Sequence, residues 1–125
     1  MPPSLEPGVL YVSREFETAA HLCACGCGRK VRTPLGPTEW EVSAGTHGPS
    51  LWPSIGNWQF PCRSHYVIRD GGIEWARTWT PAQIARGRDR ETARRARYFG
   101  RRARLPWWSR LCEWTCKTLF RRPRN

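Results

Sequence analysis

Short alternating runs of apolar and polar residues occupy about the first two thirds of the chain, and an arginine-rich helical pattern replaces them after residue 80. Met1 to Gly8 holds too many helix and strand breakers for an element and reads as a loose lead-in. Val9 to Phe16 is rich in β-formers and predicts a first strand, while Glu15 to Ala20 is less clear. Leu22 runs into a cysteine-rich knuckle, and Arg29 to Thr33 suggests a return strand stopped at Pro34, so the two form a hairpin. Trp40 to Ser43 is another short strand, with a turn over Ala44 to Pro49. Ser50 to Cys62 carries Pro53, Gly56, Asn57 and Pro61 among Leu51, Trp52, Ile55, Trp58 and Phe60, and is expected to be a packed loop. His65 to Trp75 predicts a β-hairpin turning at Asp70-Gly71 or Gly71-Gly72.

Thr80 as N-cap and Pro81 at the first helical position open a helical region. Gly87 and Gly100 interrupt it, which predicts one short and one longer arginine-rich helix up to Arg104. After Leu105-Pro106, residues 107–122 place Arg110, Glu113, Lys117 and Arg121 on one strip opposite Trp107, Trp108, Leu111, Cys112, Trp114 and Leu119. The fold class is therefore α+β: a small β-rich domain, expected to be zinc-stabilised through the thiols of Cys23, Cys25, Cys27 and Cys62, with C-terminal basic and amphipathic helices. The expected division is a lead at 1–8, a zinc-binding domain at 9–85 and a basic, tryptophan-rich tail at 86–125.

The formal charge of +11 resembles a nucleic-acid signal until it is divided by position. Residues 1–85 hold seven basic and seven acidic residues, whereas 86–125 hold fourteen and three, so all the excess lies in the tail. A zinc module reading nucleic acid would carry that charge on its own face, which weighs against such a role. The 107–122 helix is too short and too charged to span a bilayer but has the composition of one lying on an anionic membrane surface. Docking of the same face on protein is the competing reading. Cys112 and Cys116 within it are lipidation sites, membrane-proximal thiols or ordinary small apolar residues. No secretory signal precedes the domain, which places the chain in the cytoplasm, with its tail suited to the periphery of the inner membrane.

Cys23, Cys25 and Cys27 fall within five residues, and Cys62 and His65 form a second cluster. Strand neighbours two apart are separated by about 6 to 7 Å, so the chain must curl for these sulfurs to share a metal, as Gly26 and Gly28 allow. Cys25 and Cys27 are expected as the tight chelate, Cys23 as the third ligand and Cys62 as the fourth, with His65 competing for that last place. Disulfides fit poorly, because near neighbours such as Cys23 and Cys25 cannot pair without strain.

His21-Leu-Cys-x-Cys-Gly-Cys-Gly28, Pro53-Ser-Ile-Gly-Asn-Trp58, and Cys62-x-Ser-His-Tyr66 followed by Gly72-x-x-Trp75 together resemble the BubE family over roughly residues 9–85. Members lie beside genes for ubiquitin-like proteins and their E1-like and E2-like enzymes in anti-phage islands. The resemblance implies a zinc-containing, serine-dependent peptidase similar to a deubiquitinase, with a ubiquitin-like protein as substrate and the conjugation enzymes as partners. Serine hydrolysis needs a hydroxyl held by a base, with donors for the oxyanion. Ser54 is the preferred nucleophile, followed by Gly56 and Asn57 as sources of donors, the Asn57 amide among them. His65 ranks first as base and His21 second. Glu39, Glu41 and Asp70 are equal candidates for an acidic third member, and Ser64 is an alternative nucleophile. A non-catalytic zinc adaptor and a metallopeptidase are the competing readings; the latter requires an open coordination position.

Overall fold

The computed structural model describes residues 1–104. The chain is α+β, with two antiparallel sheets followed by one long helix. The first sheet has the order β1 (Tyr11–Ser13), β2 (Thr18–Leu22), β3 (Lys30–Pro34), and the second the order β4 (Glu41–Ala44), β5 (Pro49–Gly56), β6 (His65–Arg69), β7 (Gly72–Trp75). Each sheet turns one face inward. Ala19, Cys23 and Val31 from the first region meet Leu51, Ile55, Tyr66 and Ile68 from the second in one apolar cluster. Strand alternation explains the selection: in β3 only Val31 and Thr33 are buried, and in β6 Tyr66 and Ile68 point inward.

The first strand is shorter than expected. Only Tyr11–Ser13 pairs, and the chain turns before Thr18 with Glu17 in the left-handed region (φ 44°). Ser50 to Cys62 is not a loop: its first half is β5, the longest strand, pairing with β4 on one side and β6 on the other. Pro53 falls where the register shifts between Leu51 and Ile55, and the Trp52–Pro53 peptide is cis; Gly56 pairs with His65 at the end of β5, while Asn57 and Pro61 lie beyond the strand. The true connection is the segment 57–64. The second hairpin turns at Asp70-Gly71, whose φ values of 46° and 80° are those of a tight hairpin turn.

Glycine does not break the helix: α1 runs from Pro81 to Arg104 through Gly87 and Gly100 without interruption. Each glycine costs about 1 kcal/mol against alanine, which the surrounding Ala, Arg, Gln and Glu residues outweigh. Its start is a reciprocal capping box: the Thr80 N–H donates to Gln83 Oε1 (2.8 Å), and the Gln83 N–H donates to Thr80 Oγ1 (3.3 Å). Arg101, Arg102 and Arg104 occupy the last turn, where the helix dipole favours cations. No side chain of α1 is buried. The chain divides into two compact units, Met1–Ile84 and Ala85–Asn125. The amphipathic helix expected over 107–122, with Cys112 and Cys116, lies outside the described residues.

Candidate active site and metal centre

The segment that joins β5 to β6 contributes Cys62 to one cluster, and the strands on either side of it contribute Ser54 and His65 to another. The first is built from sulfur. Between β2 and β3 the chain curls through Gly26 (φ 86°) and Gly28 (φ 77°), closed by hydrogen bonds from the Cys23 N–H to Arg29 O (2.8 Å) and from the Gly26 N–H to Cys23 O (3.1 Å). Cys62 approaches from the 57–64 segment, and the sulfurs of Cys23, Cys25, Cys27 and Cys62 all lie within 4.8 Å of one another. Cys23 is 3.4 Å from Cys25 and 3.9 Å from Cys62, and Cys27 is 4.0 Å from Cys62. A tetrahedral metal with sulfur at about 2.3 Å holds its ligands about 3.8 Å apart, so the four can hold a metal ion.

The electrostatics agree with that fit. Hydrogen bonds from the Ser64 side chain and backbone pull the Cys62 thiol down to about 6. At Cys25 the backbone hydrogen bond at Cys27 lowers the pKa, but the thiols of Cys23 and Cys27 together push it up to about 12. One sulfur ionises readily and a neighbour resists, which is the condition a divalent cation relieves.

Ser64 and Asn57 support this cluster. The buried Ser64 hydroxyl lies 3.1 Å from Cys23 Sγ and 3.6 Å from Cys62 Sγ. Asn57 Nδ2 donates to Ser64 Oγ (2.8 Å) and to Cys23 Sγ (3.7 Å), while its backbone N–H donates to Ser64 O (2.8 Å). Asn57 was expected to serve an oxyanion, but both its side-chain and backbone N–H groups are engaged by this cluster. Ser64, the alternative nucleophile, is held among thiols. Neither His65 nor His21 belongs to the sulfur cluster among the described residues, so the place in which His65 competed with Cys62 is filled by Cys62.

The second cluster brings Ser54 and His65 together. His65 Nε2 lies 3.0 Å from Ser54 Oγ, and His65 Nδ1 lies 2.6 Å from the backbone oxygen of Arg77. A carbonyl only accepts, so Nδ1 carries the proton and Nε2 presents its lone pair to the serine hydroxyl. This is the tautomer a general base requires. The group on the far nitrogen of His65 is thus main chain and not a carboxylate. Of the acids considered, Asp70 is engaged instead by His47, whose Nδ1 is 2.7 Å from Asp70 Oδ2 and whose N–H donates to Asp70 Oδ1 (2.9 Å). These bonds hold the Asp70 carboxyl below its usual range.

His21 is placed elsewhere. Its Nε2 lies 2.8 Å from Tyr66 Oη, its Nδ1 has no hydrogen-bond partner among the described residues, and burial pulls its pKa down to about 4. Burial likewise pushes the Tyr66 phenol up to about 12, so both remain neutral. His21 also lines a cavity of about 310 Å³ with Leu10, Leu22, Ile68 and Ile73. Ile68 and Tyr66 lie on the inward face of β6, whereas His65, one residue from Tyr66, points to the other face by strand alternation.

Reasoning from sequence missed the Arg77 carbonyl and the aromatic surroundings of His65. Trp58 and Trp79 have ring centroids 5.0 and 5.1 Å from that imidazole. Trp58 was legible as apolar, but no signal tied Trp79 to the base.

A hydroxyl paired with a correctly tautomerised imidazole defines the nucleophile-and-base class of arrangement. A family described as bacterial ubiquitination-like system serine protease (BubE) matches residues 1–76, and the chain belongs to that family. Neither curated proteins nor solved structures gave a match.

Proposed function

We propose that this protein is a serine-dependent peptidase or isopeptidase, similar in action to a deubiquitinase, that processes or removes a ubiquitin-like protein in a bacterial conjugation pathway directed against phage. The observation that carries the reading is the Ser54 Oγ to His65 Nε2 contact with Nδ1 fixed by a carbonyl. Ser54 Oγ attacks the acyl carbon at the ubiquitin-like C-terminus as its proton passes to His65 Nε2. The protonated imidazole then gives that proton to the leaving amine or alcohol. Water repeats the sequence in reverse roles and frees the acid.

The metal in this reading is zinc, held by Cys23, Cys25, Cys27 and Cys62, and when bound it supplies cross-linking of the β2–β3 turn to the 57–64 segment. Four thiolates complete a tetrahedral shell, which disfavours a metal-bound water as nucleophile. The family description, of a ubiquitination-like system, supports conjugation partners in general, and the ones proposed are the ubiquitin-like protein and its E1-like and E2-like enzymes. The basic tail at 107–122 is proposed to rest on an anionic membrane surface. Among the described residues no helix is long and apolar enough to cross a membrane.

The test is cleavage of a ubiquitin-like protein extended at its C-terminus. Ser54→Ala is expected to abolish cleavage while preserving metal content and thermal stability, and a fluorophosphonate is expected to label Ser54 in the wild type alone. Full activity in folded Ser54→Ala protein overturns the serine assignment. If no cleavage or labelling occurs in the wild type, the zinc adaptor reading takes its place.

A further inference from the structure

We propose that the third member of the catalytic pair is the strap Ala76–Trp79, and that Trp58 and Trp79 are positioning residues that hold the His65 ring. This rests on the reading of Ser54 as nucleophile and His65 as base. The strap leaves β7 and is tied at its first residue, where the Ala76 N–H donates to His65 O (2.8 Å). One residue later, Arg77 O accepts from His65 Nδ1. Trp79 then packs its indole at 73° to the imidazole before Thr80 caps α1. The backbone of the base, its far nitrogen and its ring are therefore held by Ala76, Arg77 and Trp79, three residues within a stretch of four.

Trp58 completes the hold from the opposite side of the sequence. Its indole stacks on that of Trp79 (centroids 5.8 Å apart, planes at 21°) and is tilted 59° to the His65 ring. The three rings form a closed triangle, and turning the imidazole away from Ser54 requires it to displace an indole. Gly56 makes this packing feasible: a Cβ there would come within 2.6 Å of Trp58 Cε2, so the indole lies against bare backbone. A carbonyl lacks the charge and the two oxygens with which a carboxylate steers a histidine. The indoles supply orientation by contact in its place. Most of the strap also lies beyond residue 76, where the family match ends.

The test uses full-length, metal-loaded protein, with fluorophosphonate labelling of Ser54 and cleavage of the extended ubiquitin-like protein as readouts. Trp79→Leu and Trp58→Leu are expected to slow labelling roughly 10- to 100-fold and to lower kcat with KM unchanged, since small misplacements of a reacting group have effects of that order. Trp79→Phe, which keeps an aromatic ring, is expected to restore most of the rate. Wild-type labelling rates in folded Trp79→Leu and Trp58→Leu overturn the proposal and leave the serine reading intact. A raised KM at unchanged kcat also overturns it, since that marks the indoles as substrate contacts. Absence of Ser54 labelling in the wild type, with full activity in Ser54→Ala, removes the serine reading and the proposal together.

Discussion

His21 and His65 face opposite sides of the four-stranded sheet and show how environment, rather than residue type, assigns chemistry. His65 stands beside a hydroxyl, with its far nitrogen on a carbonyl oxygen. His21 is buried to about the same extent but faces the Tyr66 phenol, which burial keeps neutral. Adjacent residues of β6 decide the difference, His65 turning outward and Tyr66 turning inward. The two histidines thus divide into one paired with a serine hydroxyl and one paired with a phenol in the core.

The largest effect should come from exchanging the roles that the comparison assigns. His65→Ala is expected to lower cleavage by about 10²- to 10⁴-fold, the range of a general base. His21→Ala should retain most activity in whatever fraction remains folded, and steady-state kinetics on the two purified variants checks this. Comparable losses in both, at equal metal content, would break the distinction.

The next effect is on stability. His21 has a folded pKa near 4 against an unfolded value of 6.5, so between these values the unfolded chain binds more protons and stability rises with pH. The contribution is complete above about 6.5, falls as pH drops toward 4 and is level below, amounting to on the order of 3 kcal/mol. Denaturant unfolding of the wild type and His21→Gln across this range measures it, with the slope expected to weaken in the variant. An unchanged slope would separate His21 from the acid sensitivity of the core.

A smaller effect is expected from the hydrogen bonds that support the sulfur cluster. Ser64→Ala and Asn57→Ala should weaken metal binding about 10- to 100-fold, as loss of partners to metal ligands commonly does. Competition with a chromogenic chelator provides the affinity. The smallest effect concerns α1, where Gly87→Ala should raise helix stability by up to about 1 kcal/mol. Circular dichroism on heating would register the gain without a change in cleavage.

Several of these features could be read before any coordinates. Asp70-Gly71, Thr80-Pro81 and the glycines of the cysteine knuckle are local signals, because each fixes its own backbone conformation. The cysteines were legible as a set, since four sulfurs with that spacing have few other uses. β5 was hidden because Pro53, Gly56 and Asn57 carry turn signals, while the pairing that overrides them comes from β4 and β6. Asn57 was misread for a related reason: an amide is equally suited to an oxyanion and to a thiolate, and only the fold sets it against Ser64 and Cys23. The Arg77 carbonyl left no trace in the sequence because every residue has one.

The 57–64 segment has a consequence for chain length. Cys62 is fixed at the sulfur cluster and His65 begins β6, leaving two residues between them. Removing either Arg63 or Ser64 could not be absorbed as slack. If Cys62 kept its place, every later residue of β6 would shift by one and change faces, turning His65 toward the core and Tyr66 toward the outside. A deletion there would therefore invert the strand instead of shortening a loop, and the spacing from Cys62 to His65 acts as a ruler for which side of the sheet sets an imidazole beside Ser54.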